Sequence, residues 1–236
     1  MHEYGTTEEE LAAVAVKNHN NGIFNEKAHL QKKITVDDVL NSPVVADPLK
    51  LFDACPFSDG AAAAVIASEE FMNRNGLEKN ISIKGSGRSG GSGSLHTREN
   101  MSSLESTIRA SREALGQAGI SVKDLDFAEV HDCFTIAEII AMEDLGIFDK
   151  GEAAKAVVEG RTTLKGEIPI NPSGGLKSKG HPVGATGVGQ IVEVFEQLTG
   201  KAGKRQVDDA KIGLTHNVGA TAVSYTHLTL PTSDLV

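Results

Sequence analysis

The amino-acid sequence predicts an α/β fold, a mixed sheet covered by helices. Three observations carry this. From Asn80 onward, β-like segments alternate with helical ones in the order strand, helix, strand, three helices, strand, strand. The chain holds 25 glycines and several alanine-rich segments, which suits close packing of helices on a sheet. Its 236 residues suffice for one large or two modest domains with a substantial core.

The elements follow in order. Thr7-Glu-Glu-Glu10 is a capping box, and apolar residues recur at helical spacing from Leu11 to His19. Asn20-Asn-Gly22 reads as a loop. Thr35 caps a short helix from Val36 to Leu40, and Pro43, Pro48 and Pro56 break regular structure between Val44 and Phe57. Gly60 to Ala67 is short, small and apolar, and its length favours a buried strand over a helix. Ser68 caps a helix from Glu69 to Asn75 that Gly76 ends. Asn80 to Lys84 alternates like a strand, and Gly85 to Ser94 has the composition of a flexible linker. Ser103 to Gln117 is amphipathic, with Leu104, Ile108 and Leu115 on one face and Gly119 as its stop. Phe127 to Val130 is a short strand. Thr135 to Leu145 and Glu152 to Glu159 are helices ended by Gly146 and Gly160. A further helix runs from about Gly184 to Leu198, and Lys211 to His216 is a strand with another expected after it.

Composition narrows the function. A formal net charge of −9 argues against a nucleic-acid partner, which needs a basic face. No apolar run approaches membrane-spanning length, and the polar start, Met1-His-Glu-Tyr-Gly, is no signal peptide. Two cysteines, Cys55 and Cys133, are too few for a disulfide framework, which fits a reducing cytoplasm. No cysteine or histidine spacing reads as a zinc site.

Two stretches carry chemistry. Asn171-Pro-Ser-Gly-Gly-Leu-Lys-Ser-Lys-Gly-His-Pro-Val-Gly-Ala-Thr-Gly187 is a glycine-rich loop that feeds a helix, with His181 held between Gly180 and Pro182. A histidine on a rigid turn beside a helix N-terminus suits acid/base work near neutral pH. Taken alone, it is more often an incidental surface residue. His131-Asp-Cys-Phe134 lies between a strand end and a helix start, where open α/β sheets bind ligands and a helix dipole lowers a thiol pKa. A free cysteine by itself is more often a small buried hydrophobe. Together, a His-x-Cys pair on one loop and a histidine on a second glycine-rich loop make the kind of set that acyl transfer requires: a nucleophile, a base and donors for an oxyanion.

Gly180-His-Pro-Val-Gly-Ala-Thr-Gly187, with Asn171-Pro-Ser-Gly-Gly175 before it, resembles the Gly-His-Pro loop of the thiolases. The branch is the one with sterol-carrier-protein-type thiolases and archaeal and bacterial acetoacetyl-CoA thiolases. The resemblance covers about His2 to Val223. It implies the thiolase-like fold of layered α/β/α halves, here the C-terminal half plus the end of the N-terminal half. It also implies acyl exchange between coenzyme A and acyl-CoA thioesters by Claisen condensation or its reverse, with no permanently bound cofactor and no metal. By the same resemblance, His181 is the histidine that activates the nucleophile and donates to an oxyanion. His131 donates to the thioester oxygen, Cys133 moves the α-proton, and Gly219 offers a backbone N–H to an oxyanion. The family's usual Cys-x-Gly motif is replaced by Asn217-Val-Gly219, and His216 is read as structural. CoA and acyl-CoA are the implied partners, without nucleic acid or membrane. The full-length protein is expected to be a homodimer or homotetramer, with a small accessory protein as a further expected partner.

Besides the missing Cys-x-Gly motif, the same resemblance sets two departures. The family's nucleophilic cysteine lies in the N-terminal half, upstream of anything here, and Cys55 does not match it, so the chain is read as a fragment inactive alone. The expected division is 1–78, a remnant of the N-terminal domain; 79–223, the C-terminal domain; and 224–236, a tail of doubtful origin without the family's last strand. Two other readings stay open. One is a related condensing enzyme of the hydroxymethylglutaryl-CoA or ketoacyl synthase type. The other is a non-catalytic CoA-binding or scaffold subunit.

Overall fold

The structure is a computed structural model and describes residues 1–78, 81–92, 94–219 and 223–231. Helix α1 (Glu8–Gly22) opens with the expected capping box: the Thr7 hydroxyl accepts from Glu10 N and the Glu10 carboxylate from Thr7 N. It runs on through the Asn20-Asn-Gly22 stretch read as a loop. Helix α2 (Val36–Leu40) carries a second capping box, between Thr35 and Asp38. Around the prolines, strands β1 (Val44–Ala46) and β2 (Leu49–Lys50) form a small antiparallel hairpin over a cis Asp47–Pro48 bond, followed by one 3-10 turn, Leu51–Asp53.

Gly60 to Ala67 is not a strand. It is irregular and exposed, with Val65 fully open to solvent. A strand needs a neighbouring backbone to pair with, and among the described residues none pairs with this stretch. Helix α3 (Glu69–Arg74) follows, with the Ser68 hydroxyl accepting from Phe71 N.

The central sheet has the order β3-β6-β5-β4. Strand β3 (Ile81–Gly90) begins beside Asn80, which lies outside the described residues, and continues through most of the segment read as a linker. The linker reading fails because those glycines serve helix α4 (Glu105–Ala118). A Cβ on Gly85 would stand 2.0 Å from the Ala114 carbonyl oxygen, and one on Gly87 would stand 1.9 Å from that of Ala110. Glycine lets strand and helix backbones touch. Strand β4 (Phe127–Glu129) pairs parallel with β5 (Gly213–Gly219). Strand β6 (Val223–Pro231) runs antiparallel to both β5 and β3. The expectation that residues 224–236 lack a last strand is therefore corrected for residues 224–231: they form a strand paired on both sides, and Pro231 takes its last position. Residues 232–236 lie outside the described residues.

Helices α5 (Thr135–Asp144), α6 (Ala153–Val158), the four-residue α7 (Gly175–Ser178) and α8 (Thr186–Leu198) complete the fold. Side chains alternate along β5. His216 meets Thr107 of α4, whereas Asn217 meets Gln190 of α8, so α4 and α8 cover opposite faces of the sheet. The main core joins Leu11 and Val14 of α1 to Ile139 and Met142 of α5, Ile170 and Leu214. Each such side chain stabilises by about 1.5–3 kcal/mol on burial. This core fixes the end of β4 against Ile168 and Ile170, in the segment that leads into α7.

Candidate active site

His131 and Cys133 follow the end of β4, and Phe134 is the N-cap of α5. His181 lies in the loop between α7 and α8. The fold brings these two loops together. The rings of His131 and His181 meet edge to face, with centroids 5.0 Å apart and an interplanar angle of 85°.

His181 is oriented from several sides. Its backbone N–H donates to Ser58 Oγ at 3.3 Å, and it bridges to Phe57 in a parallel contact. Its Nδ1 lies 2.7 Å from Thr186 Oγ1, and the Thr186 hydroxyl donates to the Pro182 carbonyl at 3.1 Å. With that proton committed, Thr186 Oγ1 accepts from Nδ1–H. The neutral ring then carries its lone pair on Nε2, the atom free to take a proton. Burial, with Lys179 adding to it, holds the His181 pKa below its ordinary value, so the neutral base dominates near pH 7.

His131 is buried, and its pKa falls to about 4, chiefly by desolvation, then by His181, with an Asn217 hydrogen bond opposing. Its Nδ1 is buried with no hydrogen-bond partner among the described residues. Asn217 in turn donates to Gln190 Oε1 of α8, so α8 sets the side chain that addresses His131. Gly219 is two residues further along β5, on the same face as Asn217. His216 is fully buried against Thr107, its Nε2 3.1 Å from Thr107 Oγ1, and its pKa drops to about 3, in keeping with a structural residue.

Cys133 departs from expectation. A helix start alone lowers a thiol pKa, yet burial, followed by Cys55 and Asp132, pushes this one up to about 11. Backbone hydrogen bonds from Phe134 and from Cys133 itself lower it, but too weakly to offset desolvation. The group is a thiol, not a thiolate, at neutral pH.

The sequence reading missed the network beneath the site. Asp132 is fully buried. Its Oδ1 accepts from Leu176 N at 2.7 Å, and its Oδ2 accepts from Lys177 N at 3.2 Å and Asn18 Nδ2 at 2.8 Å. This carboxylate holds the first turn of α7 against the residue before Cys133. A Cβ on Gly175 would stand 2.3 Å from Asp132 Oδ2, at a φ of +59°, so glycine is required there. Asn18 also donates to Glu138 Oε2 at 2.6 Å, as does Asn171 Nδ2 at 2.7 Å, and Lys17 pairs with Glu138 Oε1 at 2.8 Å. Lys17 further reaches the Ile170 carbonyl at 2.7 Å, and Asn21 the Asn171 carbonyl at 3.1 Å. The only sequence signal was polar residues at consecutive turns of α1, a face that helical periodicity assigns to solvent.

In sequence and fold the chain is similar to known proteins. The thiolase N-terminal domain family matches residues 1–70, and the thiolase C-terminal domain-like family matches residues 87–232. An acetyl-CoA acetyltransferase of Methanothermobacter thermautotrophicus is 48% identical over 221 residues, 94% of this chain and 57% of the relative. Sterol carrier protein 2 of Bos taurus is 40% identical over 223 residues, 93% of this chain and 41% of the relative. The chain thus spans about half the length of the relatives it matches. Among solved structures, an Ltp2-ChsH2(DUF35) aldolase superimposes with a TM-score of 0.87 at 24% identity, over 100% of this chain and 61% of that one. The Bacillus anthracis acetyl-CoA acetyltransferase does so with a TM-score of 0.71 at 18% identity, over 98% and 57%. By its family matches and its identity to these relatives, the chain belongs to the thiolase family.

Proposed function

We propose that the two-loop site performs thiolase-type acyl transfer on coenzyme A thioesters, as part of an acetyl-CoA acyltransferase. The observation that carries this is the edge-to-face contact of His131 with His181, with Cys133 two residues along the chain from His131. On this reading His181 Nε2 takes the proton of a nucleophilic cysteine, which the resemblance assigns to the part of the relatives that this chain does not span. His131 and the Gly219 N–H stand by the thioester oxygen, where negative charge builds. Cys133, kept protonated by burial, delivers a proton to the substrate α-carbon in the cleavage direction and takes one in condensation. The protein works in the cytoplasm, on CoA and acyl-CoA.

Acetoacetyl-CoA cleavage tests the proposal, using this chain joined to the remaining part of the Methanothermobacter relative. His181→Ala removes a base and an oxyanion donor together, so kcat/KM falls by about 10²–10⁴. Activity within a few-fold of the parent would overturn the assignment. A second reading, a non-catalytic CoA-binding subunit, draws on neither Cys55 nor Cys133 matching the position of the family's nucleophilic cysteine. In line with it, the 236 residues by themselves are expected to show no cleavage above a His181→Ala control.

A further inference from the structure

Cys55 and Cys133 are the two cysteines of the chain, both free and half-buried. They lie 78 residues apart in the chain but meet across a short antiparallel contact. The Cys55 N–H donates to the Cys133 carbonyl at 2.9 Å, and Ala54 bridges Phe134 antiparallel at the neighbouring position. In such a contact 55 and 133 are the next opposed pair, with side chains on one face. Opposed hydrogen-bonded residues have Cα atoms about 5.5 Å apart, inside the range of about 4.4–6.8 Å that a disulfide requires. The two residues before Cys55 are held in place: Thr135 Oγ1 donates to Asp53 Oδ1 at 2.6 Å, and Lys177 Nζ to the Ala54 carbonyl at 2.6 Å. Cys55 also contributes to raising the Cys133 pKa, so the two sulfurs lie within electrostatic reach.

We propose that Cys55 and Cys133 are a redox modification site that closes to an intramolecular disulfide when met by a small disulfide oxidant such as oxidised glutathione. One cysteine thiolate attacks the glutathione disulfide, forming a mixed disulfide and releasing one glutathione thiolate. The other cysteine thiolate then attacks the protein sulfur of the mixed disulfide and releases the second. The protein loses two electrons and two protons, and two glutathione thiols are formed. Closure needs no catalysis by the site. Its consequence for activity, loss of the Cys133 proton carrier, rests on the function proposed above.

The test uses the whole chain incubated with oxidised and reduced glutathione, then alkylated and analysed by mass spectrometry without reduction. The expected product is lighter by two hydrogens, has no free thiol and keeps its circular dichroism spectrum. It yields a tryptic Cys55–Cys133 linked peptide that dithiothreitol separates. Because both thiols are mostly protonated, the closure rate rises about tenfold per pH unit above neutrality. Cys55→Ser yields only a glutathionyl adduct or a free thiol at Cys133. Native protein that collects glutathionyl adducts on one or both cysteines without the linked peptide would overturn the proposal. So would a linked peptide that forms only in denaturant. Neither outcome depends on acyl transfer.

Discussion

Asp132 Oδ1 accepts the backbone N–H of Leu176 at 2.7 Å, tying the loop of Cys133 to the first turn of the loop that carries His181. The residue between the two site residues of one loop thereby fixes the start of the other. Catalytic geometry and buried polar structure meet in this one carboxylate.

Removing that carboxylate should loosen both loops. Asp132→Ala leaves Leu176 N–H and Lys177 N–H without their acceptor and takes from Asn18 Nδ2 one of its two. Unfolding in urea is expected to show a loss of about 3 kcal/mol or more. Asp208→Ala, which breaks an exposed ion pair with Lys165, should change stability by no more than about 0.5 kcal/mol. Equal effects from the two variants would remove Asp132 from its place as a clamp.

Gly85→Ala and Gly87→Ala should each destabilise the sheet, because the new methyl meets an α4 carbonyl near 2 Å. A loss of about 2 kcal/mol or more is expected. Gly90→Ala, at the end of the same strand with open space around it, should be close to neutral. A mild effect at all three positions would restore the reading of this stretch as a linker.

Acid should weaken the fold through two buried histidines. His131 and His216 have pKa values lowered from 6.5 to about 4 and about 3. Below pH 6.5 the unfolded chain binds protons that the native protein refuses, so stability is lost as pH falls from there toward 4, by up to about 1.4 kcal/mol per unit for each. Asp132, raised to about 7 chiefly by burial and then by Glu138, works the other way. Its contribution is present in acid and lost as pH rises through 7. Thermal midpoints from about pH 7.5 down to 4.5 should fall, and His216→Gln should flatten the decline. A midpoint independent of pH in both proteins would contradict the burial argument.

Much of the fold was legible because local signals agreed with tertiary demands. The boxes at Thr7 and Thr35, the stop at Gly119 and the order of helices after β3 all rest on nearest-neighbour chemistry. Three readings failed where distant parts decide. Gly85 and Gly87 read as flexible until α4 lies against them, and residues 224–231 read as lacking a strand until β3 and β5 flank them. Gly60 to Ala67 reads as a buried strand by composition, but burial needs a partner that composition does not supply. His131, Cys133 and His181 were legible as types on loops. The Asp132 clamp and the nearness of Cys55 to Cys133 were not, since no spacing in the chain encodes either.

The most direct test of the two-loop site separates its steps. The measurement is Cys133→Ser in this chain joined to the remaining part of a thiolase relative, followed by mass spectrometry for the acyl adduct and by steady-state turnover. Serine keeps the shape, but its hydroxyl is a far weaker acid than a thiol. The account predicts a formed acyl adduct with condensation and cleavage reduced at least about 10²-fold. An adduct with turnover equal to the parent would contradict it.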